Sequence, residues 1–419
     1  MNKKSIVVML MIISGLLIAY PILYFEYIKF QESNETQNEI NLPQGIRITI
    51  VDNLDTSIGI SWYSTKNASD PKVEYSKSAD FGVKTSIKAN LSVISPYFIY
   101  HAKISGLEVN TTYFYRVCSD NQNRRDKMNF TTLATNSNIT RFLAYGDSRT
   151  QRMERKMVAE AISGAFLDRF DFSVHTGDIV ADGRLQEQWN NYFDDAEMLN
   201  RYKQGIFVEG NHERGGNSEA KMYDNLLMNS TSTMRYYAFS YDEMGFIILN
   251  SNPYAAGDDE QTEWLNATLN VYAKKNVFNF VYLHHPLLHE GRTDQYFLDN
   301  WRPLFDEYNV SMVFCGHNHH YERSYPMKNS TTLEEDNTEQ YNYSNLTDPI
   351  YIVAGGAGAP LYDVADDPFI AYAEKAYNFV LIEVEKGLTD TTLTLEAWKV
   401  LEDSSGCELM DNITISKSN

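Results

Sequence analysis

At 419 residues the chain has room for about two or three domains with a sizeable core. Hydrophobic residues at 43% and aromatics at 13% argue against a disordered protein. A formal net charge of −20 argues against a nucleic-acid partner, because phosphate binders need basic surface. Any phosphate handled by such a chain must be attracted locally, by metal or arginine.

The chain begins with Lys3 and Lys4 ahead of an apolar run from Ser5 to Phe25. That run matches the ~20 residues a helix needs to cross a bilayer. No A-x-A pattern follows it, so the sequence predicts an uncleaved signal-anchor, a transmembrane helix over residues 1–26. The lysines would stay inside and the rest of the chain would face outward, or be secreted if the segment is cleaved. N-x-S/T triplets such as those at Asn34, Asn67 and Asn412 agree with export and with a glycoprotein. Residues 27–42 are polar and aperiodic, as a stalk would be.

Residues 43–134 carry short alternating runs separated by turn residues, the pattern of an all-β sandwich. "LEVNTTY", Leu107 to Tyr113, resembles the tyrosine corner of fibronectin type III domains, with Trp62 as the core tryptophan. Over residues 140–415 strands alternate with helical spacing, which predicts an α/β domain with largely parallel pairing. Three cysteines cannot build a disulfide framework; a Cys118–Cys407 bridge stays open.

Five polar clusters fall where apolar strands stop: "GDSR" (Gly146 to Arg149), "GDIVADG" (Gly177 to Gly183), "GNHE" (Gly210 to Glu213), "LHHP" (Leu283 to Pro286) and "GHNHHYER" (Gly316 to Arg323). Open α/β sheets bind ligands at the carboxyl ends of their strands. Carboxylate, amide and imidazole donors without thiolates suit Zn, Mn or Fe.

In order and spacing the five clusters resemble the calcineurin-like metallophosphoesterase superfamily. Within it the chain is most similar to the purple acid phosphatases, which carry a fibronectin-like domain ahead of the catalytic one. The resemblance implies a catalytic fold of two packed mixed β-sheets flanked by helices. It also implies two metal ions and phosphate-ester hydrolysis by a metal-held hydroxide. Asp178 would bridge the ions, Asp147 and His319 would complete one site, and Asn211, His284 and His317 the other. His212 would contact substrate or shuttle a proton. His289, in the loop after His284, is a candidate leaving-group acid.

Two departures stand out. Where purple acid phosphatases place a metal-binding tyrosine the chain has Ala181, and where other members place a histidine it has Arg149. A ferric tyrosinate centre is therefore not expected. Arg149 is instead a candidate to grip substrate phosphate with its guanidinium fork. The leading expectation is a phosphomonoesterase acting on a small-molecule phosphate ester. A phosphodiesterase or nucleotide hydrolase with the same metal core, or a non-catalytic surface binding protein, are the alternatives.

Overall fold

A computed structural model describes residues 41–418, except 52, 122, 135–136, 215–220, 228–235, 256, 258, 289–293, 329–330, 333–341 and 404. The alternating runs after Pro43 form eight strands: β1 (Gln44–Thr49), β2 (Ser57–Ser64), β3 (Lys72–Ser76), β4 (Thr85–Lys88), β5 (Asn90–Ile94), β6 (Tyr97–Ser105), β7 (Thr112–Cys118) and β8 (Met128–Thr131). They pair in two layers, β1-β2-β6-β5 and β4-β3-β7-β8. Apolar side chains at alternate positions point between the layers, where Trp62 stacks on Tyr100 at 5.5 Å and Tyr113 on Phe130 at 5.7 Å. The Tyr113 hydroxyl accepts the backbone N–H of Glu108 at 3.0 Å and closes the expected tyrosine corner.

The second half builds two further layers. Its strands are β9 (Ile139–Tyr145), β10 (Phe172–His175), β11 (Gln204–Phe207), β12 (Tyr237–Tyr241), β13 (Met244–Ile248), β14 (Phe278–Tyr282), β15 (Met312–Cys315) and β16 (Tyr321–Ser324), then β17 (Met327–Lys328), β18 (Thr331–Thr332), β19 (Asn342–Ser344), β20 (Ile350–Ala354), β21 (Ile370–Glu374), β22 (Asn378–Lys386), β23 (Asp390–Val400) and β24 (Cys407–Ser418). One sheet runs β19-β24-β23-β22-β9-β10-β11 and the other β12-β13-β14-β15-β20-β16-β21. Pairing is parallel through β9, β10 and β11, and again through β13, β14, β15 and β20. Both mixed sheets bury apolar side chains against each other: Phe142 of β9 meets Phe280 of β14 at 4.9 Å and Phe246 of β13 at 5.2 Å. Burying one aromatic side chain in such a layer contributes roughly 1.5–3 kcal/mol. Helices Arg152–Ala161 and Gln186–Asp195 are amphipathic, and Val158, Trp189 and Tyr192 are on their buried faces.

The sandwich and the α/β domain share a sheet. β1 lies parallel to β11, with Ile48 opposite Gln204 and Thr49 opposite Gly205, so β9-β10-β11 continues into β1-β2-β6-β5 as 11 strands. The Tyr115 hydroxyl seals the joint by donating to the Arg201 carbonyl at 2.7 Å.

The expected transmembrane helix is corrected. Among the described residues no helix is long and apolar enough to cross a membrane. The longest, Asp259–Lys275, has 17 residues and charges at both ends, and it buries only one face. Residues 1–40, which hold the expected anchor and most of the stalk, lie outside the described residues. The fold the structure supports is thus a sheet-rich N-terminal domain joined to a two-sheet α/β domain. Cys118, Cys315 and Cys407 are free thiols, so no Cys118–Cys407 bridge forms.

Candidate metal centre

Parallel strands bring their carboxyl ends to one edge, and both sheets do so on the same side of the core. Asp147 follows β9, Asp178 follows β10, Asn211 follows β11, His284 follows β14, and His317 and His319 follow β15. Asp147, Asp178 and His317 all adopt left-handed backbone, with φ of 58°, 53° and 67°. Such conformations are costly for residues with a Cβ, and their clustering at one point marks a functional site. Two glycines make room there. A Cβ on Gly210 would stand 2.3 Å from Asp178 Oδ1, and one on Gly316 would stand 2.3 Å from Asp147 Oδ2.

The six expected ligands converge. His284 Nε2 lies 3.3 Å from Asp178 Oδ1 and 3.1 Å from Asn211 Oδ1, and His317 Nδ1 lies 3.1 Å from the same amide oxygen. His319 Nε2 lies 3.5 Å from Asp147 Oδ1. Asp147, Asp178 and His284 can place one donor atom each within 4.8 Å of one another. Backbone carbonyls aim two of the imidazoles: Thr176 O accepts from His284 Nδ1 at 2.9 Å, and Pro360 O from His319 Nδ1 at 2.7 Å. Each bond holds a proton on Nδ1 and turns Nε2 towards the centre, the atom that a metal ligand must offer. The Tyr362 ring stacks on His319 at 4.1 Å and holds its plane.

Behind the ligands the two aspartate loops are bolted together. Gly177 N–H donates to His175 Nδ1 at 3.2 Å, which places the ring proton on Nε2, 2.9 Å from Ser148 Oγ. Ser148 in turn donates to the Ile179 carbonyl at 3.1 Å. Arg155, paired with Asp195, donates to the Ser148 carbonyl at 3.1 Å. The buried Glu213 carboxylate accepts the N–H groups of Asp178, Ile179, Val180 and Gly210. These four bonds orient the loop.

Electrostatics follow from burial and pairing. Burial alone would raise Asp178, but the charge of His284 overcomes it and holds the carboxyl well below the usual range. Burial likewise works against charge on His284, and Asp178 prevails, lifting it to about 9. Asp147 is pushed well up by burial, against the opposing pull of His284. Burial lowers His319 to about 4 and His175 to about 3.

The donor set fits a pair of cations. Asp147 Oδ1 is buried with no hydrogen-bond partner, a costly arrangement unless something positive satisfies it. His319 Nε2 lies 3.5 Å from that oxygen, Asp178 and His284 belong to the same donor group, and the Cys315 thiol is turned away to the Ile352 carbonyl. Nitrogen and oxygen donors of this kind suit Zn, Mn or Fe.

The other candidates fall as follows. His212 Nδ1 lies 2.7 Å from the Ala181 carbonyl and its Nε2 3.8 Å from Asp178 Oδ2. Arg149 Nε donates to Asp178 Oδ2 at 3.1 Å, and its terminal nitrogen lies 3.2 Å from His319 Nε2. The side chain is 16% exposed, and its guanidinium touches ligand atoms of both Asp178 and His319. His289 lies outside the described residues. His320 turns away to Glu322 at 3.4 Å. Sequence reasoning missed Ser251, whose hydroxyl accepts the N–H groups of His284 and His285. It stands just beyond the end of β13, so the strand-end pattern that found the rest could have found it.

Residues 43–132 match the purple acid phosphatase N-terminal domain family, and residues 116–321 match the calcineurin-like phosphoesterase family. The chain is a calcineurin-like phosphoesterase, most similar to the purple acid phosphatases. Purple acid phosphatase 18 of Arabidopsis thaliana is 23% identical, over 77% of this chain and 72% of its own length. A nucleotide pyrophosphatase/phosphodiesterase of Hordeum vulgare is 23% identical over 60% of this phosphoesterase and 73% of its own length. A purple acid phosphatase from yellow lupin (Lupinus luteus) seeds shares the fold, with a TM-score of 0.79 at 20% identity. That match covers 90% of this chain and 75% of the lupin chain. The phosphoesterase fold implies a binuclear metal centre, and the cluster of Asp147, Asp178 and the histidines is the candidate to hold it.

Proposed function

We propose that this phosphoester hydrolase acts on phosphomonoesters, with Asp147, Asp178, Asn211, His284, His317 and His319 holding the two ions. The observation that carries this reading is two linked groups of donors, His319 beside the unpartnered Asp147 Oδ1 and His284 and His317 around Asn211 Oδ1, with Asp178 between them. Two bound cations neutralise phosphate charge and bring the ionisation of water towards neutral pH.

The chain's own residues supply the rest. Ala181 O fixes the proton of His212 on Nδ1, which leaves Nε2 on the cleft side to accept or hold a proton beside the substrate. Arg149 offers a fork of donors beside Asp178 and His319, suited to the oxygens of a terminal phosphate. A terminal monoester carries more negative charge than a diester, and a guanidinium beside two cations favours the more charged ligand. The likeness to the barley phosphodiesterase favours a second reading, in which diesters or nucleotides are cleaved by the same donor set.

Assaying the full chain against mono- and diesters, with metals quantified, separates the two. Under the first reading monoesters turn over at least about tenfold faster. Asp178→Asn and His317→Ala should each abolish hydrolysis and lower metal content while the fold survives. Full turnover in either variant would remove the site assignment.

A further inference from the structure

The segment that follows β20 is fastened to the loops carrying Asp147 and His319. Ala357 N–H donates to the Gly146 carbonyl at 2.9 Å, Ala359 N–H to the Asp147 carbonyl at 2.8 Å and Tyr362 N–H to the His319 carbonyl at 2.9 Å. His319 Nδ1 lies 2.7 Å from the Pro360 carbonyl. On that fixed backbone the Tyr362 ring lies against the His319 imidazole, with centroids 4.1 Å apart and planes inclined by 25°. A near-parallel stack at this distance covers one face of the tyrosine ring. His319 beneath it is 1% exposed, yet Tyr362 itself is 36% exposed. Solvent therefore reaches the other ring face and its edge. Among the described residues no second ring packs there.

We propose, resting on the reading of the site as a metal-dependent phosphomonoesterase, that Tyr362 determines specificity for the leaving group. Its open face stacks on a planar aromatic ring carried by the phosphate ester. The phosphate lies against ions held in part by His319, and the leaving group is joined to it through one ester oxygen. A ring attached there, directly or through one carbon, is within reach of a side chain packed on His319. Paired aromatic rings gain more than their buried area alone, so such a platform prefers a flat aromatic ring to a saturated ring of the same size. The hydrophobic part of the contact follows apolar area and serves both rings alike. The ring face does this, and the hydroxyl does not.

The test uses the full, metal-loaded chain and two substrates matched in size and in the chemistry of the leaving alcohol, benzyl phosphate and cyclohexylmethyl phosphate. The wild type should cleave the benzyl ester with a kcat/KM about three- to tenfold higher. Tyr362→Leu, which keeps an apolar side chain over His319, should bring that ratio close to unity, and Tyr362→Phe should retain it. Each variant is read at the wild-type metal count. Should the leucine variant lose metal, the wild type carries the test with benzylphosphonate and cyclohexylmethylphosphonate as inhibitors. The aromatic compound should then bind about three- to tenfold more tightly. Equal handling of the two rings by the wild type overturns the proposal, and so does an undiminished ratio in the leucine variant. A wild-type chain that binds no metal and cleaves neither ester would sink the proposed function itself, and this inference with it.

Discussion

Glu213 Oε2 accepts the backbone N–H of Asp178 at 2.9 Å, and through that bond one side chain sets the position of the proposed bridging carboxylate. The same carboxylate takes three further N–H groups, from Ile179, Val180 and Gly210. Two strand-end loops thus share one carboxyl group as their common anchor.

Glu213→Ala should leave four buried amides without an acceptor. The expected loss is roughly 3–5 kcal/mol of stability, together with lower metal content. Chemical denaturation and metal analysis of the purified variant check this. Glu213→Gln should also destabilise, because its amide NH2 must face N–H groups that need an acceptor. Wild-type stability in the alanine variant would mean that the loops hold their shape unaided.

The iron-loaded protein should lack an intense visible charge-transfer band. At the position expected for a phenolate the chain has Ala181, which presents only its carbonyl oxygen, to His212. An absorption spectrum of protein reconstituted with ferric iron is enough to decide. A strong band abolished by mutating a tyrosine elsewhere would show that another phenol reaches the metal.

Much of this centre was legible in the sequence because each ligand loop carries its own local signal. Gly146–Asp147, Gly177–Asp178, Gly210–Asn211 and the Gly316–His319 segment each follow an apolar strand, and parallel pairing must bring such ends together. Groups that act through the backbone left no such mark. The carbonyls of Thr176 and Pro360 aim His284 and His319, but any residue type has a carbonyl to offer. The β1–β11 pairing was equally hidden. It rests on two register pairs, Ile48–Gln204 and Thr49–Gly205, between segments far apart in the chain. The N-terminal apolar run, from which composition predicts a membrane helix, lies outside the described residues, and among those no helix is long and apolar enough to cross a membrane.

Acid should weaken the fold through His175. Burial lowers its pKa to about 3, against about 6.5 in an unfolded chain. Between those values the unfolded state binds the extra proton, so stability falls as pH falls. Between the two values the slope from this residue is about 1.4 kcal/mol per pH unit; its contribution to stability is fully present above about 6.5 and lost progressively down to about 3. Denaturation of chelator-treated protein at pH 6.5 and 4.5 should therefore show His175→Gln losing roughly 2–3 kcal/mol less than the wild type over that interval. Parallel pH profiles in the two proteins would mean that His175 is protonated in the folded state.

Arg149 is expected to act on phosphate. Its Nε lies 3.1 Å from Asp178 Oδ2 and its terminal nitrogen 3.2 Å from His319 Nε2, so the guanidinium already reaches the atoms around which the substrate must bind. A guanidinium has no lone pair to offer a cation, and beside two cations it is repelled unless an anion lies between. Asp178 supplies one such anion at 3.1 Å, and bound phosphate would be a second, to which charge-assisted hydrogen bonds are worth about 1.5–3 kcal/mol. Arg149→Ala should accordingly keep its metals, weaken inhibition by inorganic phosphate and lower kcat/KM by roughly ten- to a hundredfold. Arg149→Lys should restore only part of the loss, since an ammonium cannot donate as a planar fork. Normal phosphate inhibition in an alanine variant that loses metal or stability would instead assign Arg149 to its ion pair with Asp178, as a structural partner of the bridging carboxylate.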